Sequence, residues 1–209
     1  MNKEKRVGIL GGTFNPIHIG HLILAERALE EYELDEILFI PTGKPYFKSE
    51  EEVLDKKVRI SMTGNAIEDN PDFALSTIET DREGNTYTYE TLQLLKRDNP
   101  NNKYYLILGA DTLFQIEQWK KPDVIMSLAG ILAAVRDDKN MADLEVKADE
   151  LKTKFNADIN ILRMPHIGIS STDIRERIRL GKSVKYMLPE KTLDYIMRND
   201  LYGSTKANI

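Results

Sequence analysis

Cysteine is absent from this chain, and histidine, tryptophan and long apolar runs are scarce. Without cysteine, disulfides, thiolate metal sites and cysteine nucleophiles are excluded. The three histidines include one close pair, His18 and His21, and only His166 could join that pair, so we expect no metal site built by the protein. No apolar stretch reads as a signal peptide or a membrane span, and we therefore expect a cytoplasmic protein without a membrane partner.

The charge balance is acidic, with 34 aspartates and glutamates against 29 lysines and arginines and a net charge of −5. A general nucleic-acid binder would carry a basic stripe, so we expect no nucleic-acid partner. A small anionic ligand remains compatible, because a local cluster of donors can hold phosphate on an acidic protein. The 209 residues, 41% of them hydrophobic, predict a single globular domain, 1–209, whose last part, residues 172–209, is helical. A homodimer is left open.

Strand-like and helix-like segments alternate along almost the whole chain. Apolar runs predict strands at 6–10, 36–40, 73–76, 104–108, 131–135 and 159–163. Helical spacing predicts helices at 21–33, 53–67, 88–96, 112–118, 141–155, 172–180 and 190–198, with an exposed loop over residues 42–52. This order predicts an α/β fold, a Rossmann-like doubly wound parallel sheet with a small helical C-terminal part. In such sheets the ligand lies at the carboxyl ends of the strands, where the strand order reverses.

The first strand leads into residues 11–22, which read GGTFNPIHIGHL, and then into a helix. A strand, a glycine turn and a helix N-terminus form a phosphate-binding arrangement, because the backbone approaches the anion closely and presents free N–H groups. His18 and His21 lie three residues apart where those phosphates would lie, so both imidazoles could donate to a phosphoryl group. The alternative is that the two rings only cap and pack the start of the helix.

A second motif, ISSTDIR at residues 169–175, precedes one of the last helices. Serine and threonine at this place are N-cap signals, and Glu176 follows Asp173 by three residues, so capping alone could explain the pattern. The functional interpretation is a second anion site made of free N–H groups, hydroxyls and Arg175. The sequence by itself favours neither.

Together the two motifs resemble the nucleotidyltransferase superfamily, whose signatures are a (His/Thr)-x-Gly-His motif and a late Ile-Ser-Ser-Thr-x-x-Arg motif. Within it, the chain is most similar to bacterial nicotinate-nucleotide adenylyltransferases, which also carry a Ser-Tyr-Thr and a Gly-(Ala/Gln)-Asp motif followed by tryptophan. Here Thr86-Tyr87-Thr88, Gly109-Ala110-Asp111 and Trp119 match in the same order. Two departures are Asn15 in place of the usual aspartate, and Phe47 in place of a histidine in the segment 45–48.

The resemblance implies adenylyl transfer from ATP to nicotinate mononucleotide, with Mg²⁺ held mainly by the ATP phosphates. The implied catalytic residues are His18, His21, Lys48 and Arg175. The implied ATP and phosphate contacts are Gly11, Gly12, Thr13, Phe14, Ser170, Ser171, Thr172, Gly109, Asp111 and Arg136. The implied nicotinate-nucleotide contacts are Asn15, Tyr87, Thr88 and Trp119.

Several of these residues also have an ordinary structural interpretation. Asp111 could be the N-cap of the helix at 112–118. Trp119 could be a half-buried core aromatic, and Arg136 a plain surface arginine.

Four rival functions remain. Phosphopantetheine adenylyltransferase shares the histidine motif, but residues 86–88 and Trp119 fit it less well. A nicotinamide-preferring adenylyltransferase would differ only in its acceptor. Class I aminoacyl-tRNA synthetases share the HIGH string of residues 18–21, but they need further regions that 209 residues do not supply. A non-catalytic nucleotide sensor would have no need of transition-state groups such as His18, His21, Lys48 and Arg175.

Overall fold

A single six-stranded parallel sheet organises the computed structural model, which describes residues 4–43, 53–135 and 141–206. The strand order across the sheet is β3-β2-β1-β4-β5-β6, and every neighbouring pair is parallel. The strands are β1 (Arg6–Gly12), β2 (Glu36–Pro41), β3 (Phe73–Leu75), β4 (Lys103–Gly109), β5 (Ala129–Val135) and β6 (Ile159–Arg163). This is the doubly wound order that the alternation of elements predicts, so the predicted fold class is confirmed.

Helices connect the strands and close the chain. They are α1 (Ile19–Glu31), α2 (Lys56–Ile67), α3 (Thr88–Asp98), α4 (Ala110–Gln115), α5 (Pro122–Leu128), α6 (Met141–Phe155), α7 (Ser171–Arg179) and α8 (Glu190–Arg198). Two 3₁₀ segments, Ile116–Gln118 and Leu201–Lys206, follow α4 and α8. Within the described residues, none of the helices has the length and apolarity that a bilayer crossing requires.

The sheet is buried on both faces, and each face has its own hydrophobic cluster. On β4, Leu106 and Leu108 belong to one cluster while Tyr105 and Ile107 belong to the other. Successive side chains of a strand point to opposite faces, so a strand covered on both sides must be apolar at every position. The continuous apolar run of β4 is thereby explained.

The C-terminal helices pack on the second of these clusters. Ile174 and Ile178 of α7 and Ile196 of α8 are fully buried in it. The Thr192 hydroxyl of α8 donates to the Met62 carbonyl of α2 at 3.2 Å. These contacts support the interpretation of residues 1–209 as one domain, which stays a prediction.

Local chemistry shifts some helix ends from their predicted positions. The predicted start of α2 at residue 53 is wrong, because the Asp55 carboxylate accepts the N–H of Lys57 at 2.8 Å and acts as the N-cap. Helix α5 was not predicted at all. It has seven residues, and it follows Lys121, whose φ of 53° is left-handed, with Pro122 in its first turn. Proline occurs in loops as well as at helix starts, so Pro122 alone does not distinguish a helix of seven residues from a loop.

The 3₁₀ segment after α4 is fastened to α6 by Glu117. Its carboxylate accepts from Lys147 at 2.5 Å and from Lys154 at 2.7 Å. These hydrogen bonds favour the ionised form and lower the pKa of Glu117 from 4.5 to about 2. Because the folded pKa lies below the unfolded one, the bonds stabilise the protein above pH 4.5, and this stabilisation is lost as the pH falls toward 2.

We therefore expect Glu117→Gln to lower the melting temperature at neutral pH and to lose this difference from the wild type at acidic pH. Thermal unfolding monitored by circular dichroism across the acid range measures the effect. The exposed Glu145 on the same helix provides the control Glu145→Gln. A gap between wild type and Glu117→Gln that stays constant with pH, or one that Glu145→Gln reproduces, would contradict the assignment.

Candidate active site

The loop that follows β1 turns sharply around the ring of Phe14. A Cβ on Gly12 would lie 2.8 Å from the Phe14 ring, so only glycine leaves room for the ring at that point. Phe14 has a left-handed φ of 48° and is buried, and its ring meets that of His21 edge-on at 5.2 Å. Gly11 has open space where a side chain would be. The predicted glycine turn is therefore tightly shaped on one side and open on the other.

His18 and His21 form a paired unit at the N-terminus of α1. His18 is the N-cap, and its backbone N–H donates to Nδ1 of His21 at 3.2 Å. The two ring centroids are 3.8 Å apart. A neutral imidazole that accepts at Nδ1 carries its proton on Nε2, so His21 presents a distal N–H donor. Capping and phosphate binding are thus compatible, because the two roles use different ring nitrogens of His21.

The two predicted motifs meet in space at the N-terminus of α7. The Ser171 hydroxyl donates to the Pro16 carbonyl at 2.8 Å, and Nη1 of Arg175 donates to the Asn15 carbonyl at 2.9 Å. Nη2 of Arg175 lies 3.4 Å from the Thr172 hydroxyl. The helix start is therefore bound directly to the loop after β1.

The N-cap of α7 is Ser170, whose hydroxyl accepts the Asp173 N–H at 3.1 Å. Ser170 and Thr172 are both exposed. Ser170 confirms that a serine of this motif caps the helix, whereas Asp173 and Glu176 lie inside α7, so their capping pair is wrong. An anion site at the same helix start stays a prediction.

Asn15 is a buried residue of the loop after β1, with only 2% of its surface exposed. Its side-chain oxygen accepts from the Tyr202 hydroxyl at 2.7 Å and from the Leu54 N–H at 3.4 Å. Burial raises the pKa of the Tyr202 hydroxyl, and the positive charges of Arg175 and Arg59 oppose this rise. Asparagine thus supplies an acceptor where the family usually has aspartate. A direct contact between Asn15 and the nicotinate nucleotide stays a prediction.

The end of β4 lies beside β1 at the carboxyl edge of the sheet. Gly109 is exposed and is the N-cap of α4, and Asp111 is exposed in the first turn of that helix. The alternative in which Asp111 caps a helix at 112–118 is therefore wrong, since the helix begins earlier, at Ala110. The strand order reverses between β1 and β4, so this edge is where ligands bind in such sheets.

Residues that are far apart in the chain meet at the start of α3. Tyr87 is the N-cap, without a side-chain capping bond, and Thr88 is the first helical residue. Nζ of Lys120 lies 4.1 Å from the centroid of the Tyr87 ring. Tyr87 and the half-buried Trp119 both pack against the first hydrophobic cluster. The structure therefore brings the predicted nicotinate-binding residues Tyr87 and Thr88 close to the chain at Trp119.

Two predicted site residues, Lys48 and Arg136, lie outside the described residues. The same holds for Phe47, the second departure from the family pattern.

Comparison with known proteins gives one consistent result. Residues 9–177 match the model of the cytidylyltransferase-like family. A protein from Lachnoclostridium phytofermentans is 45% identical over 198 residues, covering 95% of this chain and 99% of the relative. One from Thermoanaerobacter sp. is 40% identical over 209 residues, covering 100% and 99%. Both are named probable nicotinate-nucleotide adenylyltransferase.

The chain belongs to the nicotinate-nucleotide adenylyltransferase family.

A solved structure agrees in fold. It is the Plasmodium falciparum nicotinic acid mononucleotide adenylyltransferase complexed with NaAD, which superposes with a TM-score of 0.78 at 22% identity and covers 96% of this chain and 98% of its own. The two relatives confirm the resemblance stated from the four motifs, and the solved structure confirms the fold.

Sequence reasoning missed Arg59, a buried residue that contacts the loop after β1. It is 2% exposed, and burial lowers the pKa of its guanidinium, an effect that the charge of Asp55 opposes. The guanidinium donates to the Thr13 carbonyl at 2.9 Å and to the Thr42 carbonyl at 2.8 Å. Arg59 follows two lysines at the start of α2, so in the sequence it resembles an ordinary solvated cation.

The donors of this site suit phosphate better than a protein-bound metal. Around the loop after β1 they are imidazole and guanidinium nitrogens, hydroxyls and the N-termini of α1 and α7. In the parts of the chain that the structure describes, no group of three or more histidines, aspartates or glutamates could hold a metal ion. The arrangement can therefore bind and neutralise a polyphosphate at the carboxyl edge of the sheet.

Proposed function

We propose that this protein transfers the adenylyl group of ATP to nicotinate mononucleotide, giving nicotinate adenine dinucleotide and pyrophosphate. The observation that carries the proposal is the convergence of two helix N-termini on one glycine loop. Helix α1 brings His18 and His21, and α7 brings Arg175, whose Nη1 donates to the Asn15 carbonyl at 2.9 Å. Family membership adds support, because the relatives carry the name of this activity.

The chemistry is an in-line displacement at the α-phosphorus of ATP. A phosphate oxygen of nicotinate mononucleotide forms the new bond to phosphorus, and the bond to the bridging oxygen of pyrophosphate breaks, leaving its electron pair on that oxygen. The substrate itself is the nucleophile, so the protein needs only to position the reactants and stabilise charge. The distal N–H of His21 suits charge that develops on the phosphoryl oxygens.

Mg²⁺ would enter with ATP rather than as a resident metal. Its ligands would be phosphate oxygens and water, which Mg²⁺ prefers, since the donors around the loop are nitrogens and hydroxyls. Bound in this way, it would neutralise part of the triphosphate charge.

The remaining phosphate contacts are assigned by the resemblance to the family. Gly11, Gly12, Thr13 and Phe14 would present backbone N–H groups to the phosphates. Ser170, Ser171 and Thr172 would hold the departing pyrophosphate together with Arg175 and Lys48. Gly109 and Asp111 would contact the ribose of ATP, and Arg136 its adenine.

The acceptor is assigned to the start of α3. Thr88, the backbone around Tyr87 and the face of Trp119 would receive the pyridine ring and its carboxylate, with Asn15 nearby. Free N–H groups at a helix N-terminus favour an anion, which suits nicotinate over nicotinamide. A cytoplasmic location and a homodimer stay predictions.

Lys120 adds a cation to this acceptor subsite, and Lys121 offers a matched control. Nζ of Lys120 is 4.1 Å from the Tyr87 ring centroid, and Nζ of Lys121 is 4.5 Å from that of Tyr89. We expect Lys120→Met to lower the preference for nicotinate over nicotinamide mononucleotide by about threefold, the size typical of an exposed charge pair. The preference is the ratio of kcat/KM values for the two acceptors.

Lys121→Met should leave that ratio unchanged, and added salt should shrink the effect of Lys120→Met. If the two substitutions changed the acceptor preference equally, or if neither changed it, Lys120 would not be part of the acceptor subsite.

Turnover distinguishes an adenylyltransferase from a nucleotide sensor. The protein is incubated with ATP, Mg²⁺ and nicotinate mononucleotide, and the phosphorus NMR spectrum is followed over time. The proposal predicts equal amounts of pyrophosphate and dinucleotide. ATP binding by calorimetry without either product would instead favour the sensor.

A further inference from the structure

One guanidinium, that of Arg59, binds the backbone of three separate segments. Its Nη1 donates to the Thr13 carbonyl in the loop after β1, at 2.9 Å. Its Nη2 donates to the carbonyls of Thr42 and Gly43 after β2, at 2.8 and 3.0 Å. Its Nε donates to the Leu54 carbonyl before α2, at 3.0 Å. Arg59 therefore fixes the loop after β1 against the chain on both sides of residues 44–52.

The bond to Thr13 also orients the next peptide group. In a planar trans peptide the C=O and the following N–H point in opposite directions. Because the Thr13 carbonyl points at Arg59, the Phe14 N–H points away from it, to the other side of the loop. Neighbouring carbonyls are held in the same way, since Asn15 accepts from Arg175 and Pro16 from Ser171.

A further contact connects the segment that Arg59 holds after β2 with the chain leading to α3. A Cβ on Gly43 would lie 2.7 Å from the Glu79 carbonyl oxygen, so the two backbones are in close contact. The Glu79 carboxylate accepts from the hydroxyls of Thr86 and Thr91, at 3.1 and 2.8 Å, on either side of Tyr87. The segment that Arg59 holds at Gly43 is thus packed against the segment that carries Tyr87.

We propose that Arg59 is a positioning residue for adenylyl transfer, which holds the Thr13 carbonyl back so that the Phe14 N–H faces the ATP triphosphate. The proposal rests on the proposed function for its reaction, but its physical content is the orientation of a phosphate-binding peptide. Arg59 itself does not touch the substrate. Its removal should therefore weaken recognition of the phosphates and spare recognition of the nucleoside.

The test compares Mg·ATP with adenosine, which has no phosphates, by isothermal titration calorimetry. We expect Arg59→Met to bind Mg·ATP at least about tenfold more weakly, and adenosine within about twofold of the wild type. Arg59→Lys keeps the charge but lacks the planar fork that reaches several carbonyls at once, so we expect a similar loss. Ile67→Ala, at the far end of α2, serves as a stability control because Ile67 is 4% exposed and remote from the guanidinium.

A second measurement uses the unaltered protein and so does not depend on the folding of a variant. The backbone amide resonance of Phe14 is followed in the isotope-labelled wild type during titration with Mg·ATP and with adenosine. We expect it to shift with Mg·ATP and to move little with adenosine.

Four results would each overturn the proposal. Two concern the Arg59 variants: equal weakening of ATP and adenosine binding in Arg59→Met, and full recovery of ATP affinity in Arg59→Lys. The third is the same loss of ATP affinity in Ile67→Ala at matched melting temperature. The fourth is a Phe14 resonance that responds equally to Mg·ATP and adenosine. Turnover of the wild type is measured in parallel. Failure of turnover would refute the reaction, while the binding and NMR results would still decide the role of Arg59.

Discussion

Replacing His21 with asparagine should lower kcat for adenylyl transfer by about 100- to 1000-fold, the usual effect of deleting one transition-state hydrogen-bond donor. The side-chain oxygen of asparagine reaches the place of Nδ1 and can still accept the His18 N–H, which lies 3.2 Å from that atom. The distal Nε2–H has no counterpart in asparagine. The substitution therefore removes the proposed catalytic donor and keeps the helix cap.

His21→Gln is the matched control, because its amide nitrogen reaches the place of Nε2 while the capping position is lost. We expect this variant to retain more activity than His21→Asn and to have the lower melting temperature of the two. Steady-state kinetics and thermal unfolding on the same preparations measure both quantities. If activity followed the melting temperature instead, His21 would be a capping residue and the catalytic assignment would fall.

Arg175→Met should reduce kcat/KM for ATP by about 1000-fold and destabilise the fold by about 2 kcal/mol. Arg175 is 9% exposed, and its guanidinium donates to the Asn15 carbonyl at 2.9 Å. Its loss leaves a buried acceptor without this donor and removes a positive charge from the phosphate site. Expressed as free energies, the loss in kcat/KM should exceed the loss of folding stability, because charge on the leaving pyrophosphate grows during the reaction.

Arg177 on the same helix gives the control for this second prediction. Its Nε donates to the Ser183 carbonyl at 3.0 Å, away from the loop after β1. Arg177→Met removes the same charge and one bond to a backbone carbonyl, and we expect kcat/KM to stay within about twofold of the wild type. An equal loss of activity in the two variants would mean that α7 contributes only its stability or its overall charge.

The fold was predictable because its signals are local. The apolar run of β4 and the glycine turn between β1 and α1 each lie within a short stretch of sequence. Helix α5 could not be predicted, because its start depends on the left-handed backbone of Lys121, which no residue type at that position indicates. Asp111 was assigned a capping alternative that is wrong, since α4 starts one residue before it.

The candidate site likewise combines residues that lie in local motifs with residues whose partners are distant in the sequence. Its two motifs could be read from the sequence, although only the structure shows that Ser171 reaches Pro16, 155 positions away. Arg59 and Tyr202 could not be found, because their partners Thr13 and Asn15 lie 46 and 187 positions away. A buried arginine and a half-buried tyrosine near the C-terminus carry no sequence pattern that separates them from surface residues.

The most direct test of the central claim is pyrophosphate release from Mg·ATP with three acceptors in parallel: nicotinate mononucleotide, nicotinamide mononucleotide and phosphopantetheine. The proposed function predicts that nicotinate mononucleotide has the highest kcat/KM by a wide margin. Faster release with either other acceptor would contradict the assignment of the acceptor and leave the phosphate chemistry in place. No release with any of the three would contradict the enzymatic function itself.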